Sequence, residues 1–272
     1  MITHNRIGYN GRLGNQMFIY ATLVSLREKL GVDIGIPEKN CLNLLNASYD
    51  MYHNYWVQSK CFLYDFFNIT APQIKTEYDF NFIEPKHGYN KELYEIDITK
   101  DLSIDGYFQS WKYFDEYKSL LKKEFSIKEN QITKVKGLLD NLKNKICIHI
   151  RLGDALAHPN IFKLTPDYIN KVISEFNDDE YNYIIFCDNF EYIKEWFPED
   201  KSIHFMLYNE IESLYLMTQC DHFIISPSTF SWWGAYLGET NKSKVYTPDW
   251  WFGDNRDYTE LNLPNWKIVK TN

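Results

Sequence analysis

The chain has 272 residues and no uninterrupted apolar run of about 18, the length a helix needs to cross a membrane, so no integral membrane segment is expected. Nothing like the apolar core of a signal peptide opens it, since the first residues read MITHNRIGYNGRLGNQ. Cysteine is scarce: Cys41, Cys61, Cys147, Cys187 and Cys220 form an odd set with no CxxC pair. That excludes a disulfide framework and a zinc ribbon, and reads as reduced, mostly buried thiols in a cytosolic protein. A basic excess is also missing. The 29 Lys and Arg face 37 Asp and Glu, a net charge of -8, which excludes a general nucleic-acid binder but leaves room for one local phosphate site. Internal repeats and low-complexity tracts are absent.

What the chain does have is apolar mass. Hydrophobic residues make up 44%, enough for a sizeable core in one large domain or two ordinary ones. The 21 Tyr and 8 Trp are first of all core material, with some available to line a sugar or nucleotide pocket.

The segment RLGNQMFIYATLVSLREKLG carries apolar residues at helical spacing and stops at Gly31 as a C-terminal cap would. VDIGIP then reads as a strand ended by Pro37. Residues 40–115 alternate short apolar runs with turn residues and resist parsing, although SIDGYFQSWKYF reads as strand, aromatic turn, then helix. Asp115 to Leu142 reads as mostly helical. From Lys145 the pattern sharpens. KICIHIRLGD, YNYIIFCDN, SIHFML, DHFIISPST and SKVYTPDWW read as strands, separated by helices at TPDYINKVISEFN, FEYIKEWFP, EIESLYLMTQC and FSWWGAYLGE. Thr165 before Pro166 is an N-cap signature. Strand–helix alternation of this kind predicts a parallel sheet wrapped by helices. The expected architecture is α/β with two Rossmann-type domains facing a cleft, residues 1–143 and 144–272, the second binding a nucleotide.

Open α/β sheets bind ligands beyond the carboxyl ends of their strands. At those ends stand Arg151, Gly153 and Asp154, then Asp188 and Asn189, then the SPSTFSWWG segment. Arginine offers a planar fork suited to a diphosphate. Ser226, Ser228 and Thr229 precede an apolar helix, where unpaired amides and hydroxyls make an anion site; an ordinary Ser/Thr cap is the simpler alternative, outweighed by the placement opposite Arg151. His149, two residues before Arg151, shares its face of the strand and is either a ligand contact or a satisfied core residue. Asp188 either accepts from a nucleobase edge or closes an Asx turn. No DxD at these strand ends and no HExxH is present, so stabilisation of a leaving diphosphate by protein cations and a helix end is expected, with no metal and no cofactor.

Four blocks, GRLGNQMFIYA (Gly11 to Ala21), GYFQSWKYF (Gly106 to Phe114), HIRLGD (His149 to Asp154) and STFSWWGAYL (Ser228 to Leu237), stand in an order that resembles the glycosyltransferase family 11 α-1,2-fucosyltransferases. The resemblance spans most of the chain. It implies the GT-B architecture and an inverting, metal-independent transfer of L-fucose from GDP-β-L-fucose to the 2-hydroxyl of a galactose-containing glycan. It implies that Arg151 holds the departing β-phosphate, that His149 lies on the nucleotide, and that Ser228, Thr229 and Phe230 bind phosphate and ribose. Gly14, Asn15 and Gln16 match the amino-terminal GxxGNQ motif, which faces the reacting centre from the other domain. Asp154 is the candidate base, with orientation of His149 or Arg151 as its alternative role. Two positions depart from many members: Leu152 replaces a second basic residue and Ala155 a tyrosine. The competing expectations are a transferase using another nucleotide sugar or acceptor hydroxyl, and a catalytically silent nucleotide-sugar or glycan binder. A chain that reaches its first motif so early is expected to be a bacterial or viral cytoplasmic enzyme, peripheral to a membrane at most through a lipid-linked acceptor.

Overall fold

A computed structural model describes residues 1–8, 11–38, 47–50, 55–58, 61–153, 156, 161–176, 180–197, 200–253 and 257–271. The chain divides into two compact units. The first is Met1–Lys128 with Arg256–Leu261, and the second is Glu129–Asn255 with Asn262–Asn272. Among the described residues no helix is long and apolar enough to cross a membrane.

In chain order the first unit contains β1 (Ile2–Thr3), α1 (Leu13–Leu30), β2 (Ile34–Pro37), β3 (Ala47–Asp50), β4 (Tyr55–Gln58), α2 (Leu63–Phe66), β5 (Gln73–Ile74), β6 (Phe80–Ile83), β7 (Leu102–Asp105) and α3 (Lys118–Glu124). Five of these strands form an all-parallel sheet in the order β5-β2-β1-β7-β6. The helix expected after GRLGNQ is α1. Gly31 ends it at φ 64, its amide bonded to the Arg27 carbonyl, a conformation that costs a residue without Cβ little.

The second unit contains α4 (Glu129–Ile132), β8 (Lys145–Ile150), α5 (Pro166–Ile173), β9 (Asn182–Cys187), α6 (Phe190–Ile193), β10 (Ile203–Phe205), α7 (Glu210–Thr218), β11 (His222–Ile224), α8 (Thr229–Gly238), β12 (Val245–Pro248) and β13 (Lys267–Val269). Its six strands are also all parallel, in the order β10-β9-β8-β11-β12-β13. The alternation read from Lys145 onward is therefore present, and β13 extends it. Thr165 caps α5 by accepting from the Tyr168 amide. The helical reading of Asp115 to Leu142 holds only in part. Beyond Ile132 the chain makes successive i→i+3 turns, among them Val135 to Ile132 and Asp140 to Gly137, and Gly137 stands at φ 78.

Both sheets grow outward from a central strand in two directions. In the second, β8 is followed on one side by β9 and β10, and on the other by β11, β12 and β13. The β8–β11 junction is its topological switch point, the place where such sheets open a crevice at their carboxyl ends. In the first, the corresponding junction lies between β1 and β7.

Candidate functional site in the second unit and its counterpart in the first

Strand β8 has a two-residue side-chain period. Ile146, Ile148 and Ile150 are fully buried in the core with Ile169 and Val172 of α5. Each such side chain contributes about 1.5–3 kcal/mol. Cys147 and His149 alternate with them, and the His149 ring lies 5.9 Å from that of Phe230 in α8. Burial pushes the His149 imidazole down to about 4, against the pull of Asp188 and with the push of Arg151, so it is neutral at pH 7. Its Nδ1 is buried without a hydrogen-bond partner among the described residues.

The segment after β8 is pinned to its neighbours on both sides. The Arg151 amide donates to Ser226 Oγ (3.0 Å), and that hydroxyl donates to the His149 carbonyl (2.6 Å). The Arg151 guanidinium donates through Nη1 to the Pro227 carbonyl (3.1 Å), which ties it to the loop leading into α8. On the other side the Leu152 amide donates to Asp188 Oδ1 (2.8 Å). A Cβ on Gly153 would stand 2.5 Å from Asp188 Oδ2, so only glycine lets the loop pass this carboxylate unshifted. Leu152, the apolar substitute for a basic residue, is buried in the core.

Helix α8 starts at this junction. Ser228 is its N-cap residue, buried, with a side chain that makes no capping bond. The first amides of any α-helix lack intrahelical acceptors and carry the positive end of the dipole. Thr229 and Phe230, half-buried, supply the first of them. The structure thus brings Arg151, His149, Ser228, Thr229, Phe230 and Asp188 to one switch point. Asp154 and Ala155 lie outside the described residues. Ser226, which sequence reasoning placed only in the anion segment, is the hydroxyl that joins β8 to β11. Among the described residues no group of three or more His, Cys, Asp or Glu could hold a metal ion.

The remaining candidates stand in the first unit, beyond β1. Gly11, at φ 91, precedes α1, and a Cβ there would fall 2.1 Å from Asn15 Nδ2. Gly14 is buried in the first turn. Gln16 is fully buried, accepts from the Phe62 amide (2.8 Å) and donates to the Gly11 carbonyl (3.4 Å), which braces the loop. Asn15 is half-buried, and its Oδ1 accepts from Gln109 Nε2 (2.9 Å). Gln109, in the motif after β7, and His87, which bonds it, were not singled out from sequence. GYFQSWKYF was the only signal for the first, and nothing local marks the second.

The sequence model of Glycosyl transferase family 11 matches residues 1–270. The chain belongs to that family. It is similar to the O-antigen biosynthesis glycosyltransferase WbnK of Escherichia coli, at 25% identity over 94% of this chain and 97% of WbnK. It is also similar to an alpha-1,2-colitosyltransferase of Escherichia coli, at 26% identity with 89% and 90% covered. Human galactoside alpha-(1,2)-fucosyltransferase 1 is 23% identical, with 96% of this chain and 76% of the human protein covered. Among solved structures, the NodZ alpha-1,6-fucosyltransferase soaked with GDP-fucose shares the fold, with a TM-score of 0.53, 12% identity and 87% and 90% of the two chains covered. The family 11 chain described here is therefore a glycosyltransferase with the two parallel-sheet units of the GT-B fold.

Proposed function

We propose that this family 11 protein transfers L-fucose from GDP-β-L-fucose to the 2-hydroxyl of a galactoside, with inversion at the sugar carbon. The observation that carries the reading is the switch point of the second sheet. There the Arg151 guanidinium, an orphan ring nitrogen of buried His149 and the start of α8 lie together. This set suits a nucleoside diphosphate: a fixed cation and helix amides for the phosphates, and a neutral imidazole for the nucleotide.

In the reaction the bond between the sugar carbon and the β-phosphate oxygen breaks, and its electron pair stays on the phosphate. Arg151 and the α8 amides meet that growing charge, which is why we propose transfer without a metal. The acceptor oxygen forms the new bond from the opposite face. Its proton passes to a base, for which Asp154 is the candidate, or to the departing diphosphate. Asn15 is proposed to face the reacting centre. Action in the cytoplasm on a soluble or lipid-linked glycan goes with this reading. It is supported by Cys147, Cys187 and Cys220, free thiols of which two are buried. The similarity to a colitosyltransferase favours one second reading, the same chemistry on another nucleotide sugar.

Purified protein, a panel of nucleotide sugars and a galactoside acceptor test both readings, with linkage read from the product. The expected outcome is a 1,2-linked fucoside, formed equally well in chelator, and a loss on the order of 1000-fold or more for Arg151→Ala. Transfer from another donor alone would establish the second reading, and undiminished transfer by Arg151→Ala would remove Arg151 from the mechanism.

A further inference from the structure

Asn15 and Gln109 come from different ends of the first unit's sequence but meet at its own switch point. Asn15 belongs to the connection that follows β1, and Gln109 to the loop that follows β7. Their carboxamides are 2.9 Å apart, Gln109 Nε2 donating to Asn15 Oδ1. The other end of Gln109 is committed as well, because Gln109 Oε1 and His87 Nε2 are 3.1 Å apart. His87 is itself held: its Nδ1 lies 2.8 Å from the Asp257 carbonyl oxygen, and its ring packs on Tyr258 at 4.5 Å between centroids. The Asp257 carbonyl and Gln109 Oε1 both only accept, so His87 donates from both ring nitrogens in this arrangement. An unbroken line of side-chain hydrogen bonds therefore runs from the backbone at Asp257 through His87 and Gln109 to Asn15.

The backbone beneath Gln109 is held in a conformation that local preferences do not favour. Phe108, a bulky residue with its side chain fully buried, stands at φ 51. Two things fix it there. Glu84 Oε2 accepts from the amides of Tyr107 (2.8 Å) and Phe108 (3.2 Å), and the Ser110 amide donates to the Phe108 carbonyl (2.9 Å), closing a tight turn over Gln109. The Phe108 ring is locked edge-on against Tyr113. A strained residue retained by its surroundings is a reason to ask what it aims, and this one aims the Gln109 carboxamide at Asn15. Gly11 closes the other side, since a side chain there would collide with Asn15.

We propose that Gln109, clamped by His87, is a positioning residue that fixes the orientation of the Asn15 carboxamide for the transfer step. The inference rests on the reading that Asn15 faces the reacting centre. Gln109 touches no substrate in this account; it determines which edge of Asn15 is presented.

Initial-rate kinetics on the full chain with GDP-fucose and a galactoside test the proposal. Gln109→Ala should lower kcat by up to about 100-fold, the scale expected when a reacting group is misplaced, with KM for GDP-fucose within about threefold. His87→Ala should act in the same direction and add nothing to Gln109→Ala. In an Asn15→Ala background Gln109→Ala should cost nothing more, because residues acting as one unit are not additive. Gln109→Glu keeps size and shape but has no N–H for Asn15, so its kcat should fall at unchanged melting temperature. It also serves if the alanine variant does not fold. Independently of substrate, the NMR shifts of the Asn15 side-chain amide should move in Gln109→Ala and Gln109→Glu, because both remove the donor to its Oδ1. Full kcat in the Gln109 variants, independent losses in the double variant, or unaltered Asn15 signals would overturn the proposal. Undiminished transfer by Asn15→Ala would overturn the underlying reading as well.

Discussion

Two buried histidines occupy matching places in the two units. His4 directly follows β1, and His149 lies near the end of β8. Burial pushes both down to about 4; the Gly106 carbonyl opposes the shift at His4 and Asp188 opposes it at His149. The unfolded chain takes up these protons near pH 6.5, and the folded chain refuses them until about pH 4. Their contribution to stability is therefore complete above pH 6.5 and lost as the pH falls toward 4, by about 1.4 kcal/mol per pH unit for each histidine. Urea midpoints taken between pH 7 and 4.5 should fall in the wild type and fall less steeply in His149→Gln. An equal slope in both would show that His149 is not held neutral. The HIRLGD motif marked His149 in the sequence, but its neutral state depends on Phe230 and the rest of α8, which come some eighty residues later.

At the scale of elements, the first unit is tied by one carboxylate that its local sequence does not distinguish. Glu124 ends α3 and is 2% exposed, yet it accepts from Tyr20 of α1 (2.8 Å), from the Thr70 amide (2.6 Å) and hydroxyl (2.5 Å), and from Arg27 (3.3 Å). Burial and the nearby Glu124 charge raise the Tyr20 hydroxyl well above its ordinary range. Removing the carboxylate would leave the buried Tyr20 hydroxyl without its acceptor, while exposed Thr70 can turn to water and Arg27 keeps Glu28. Glu124→Ala is expected to destabilise the first unit by about 1–3 kcal/mol, and Glu124→Gln by less, as read by chemical denaturation. A change under about 0.5 kcal/mol would mean that water replaces the acceptor. The YKSLLKKEFSI pattern predicted the helix but left Glu124 as one more charge on it. In the same region the turns after Ile132 defeated a periodicity argument, because apolar residues recur at helical spacing while Gly137 takes a left-handed conformation. By contrast, α1, α5 and the strands from β8 to β12 were legible, because cap residues and apolar runs are local signals.

For the whole molecule, a net charge of -8 leaves phosphate recognition to a local site and not to the surface at large. Ligand binding should then show itself by linkage. Trp196, Trp232, Trp233, Trp250, Trp251 and Trp266 all belong to the second unit, so tryptophan emission reports mainly on it. GDP at about 100 times its Kd should stabilise that unit by about 2.7 kcal/mol. The tryptophan-detected melting temperature should rise with GDP, and Arg151→Ala should remove most of the rise. A rise of equal size in that variant would place the diphosphate elsewhere.

The sequence by itself determined the strand–helix alternation of the second unit, the helix after GRLGNQ and the polar residues at the strand ends. Each is a matter of side-chain period or of a cap within a few residues. Only the tertiary structure decided the order of the strands, and with it that β8 and β11 are neighbours and bring Arg151 to the start of α8. It also decided that Gln109 meets Asn15 across 94 positions and that His87 meets the Asp257 carbonyl across 170. The physical reason is that hydrogen bonds between distant segments impose no period on either one; they exist once the sheets have brought the strand ends together.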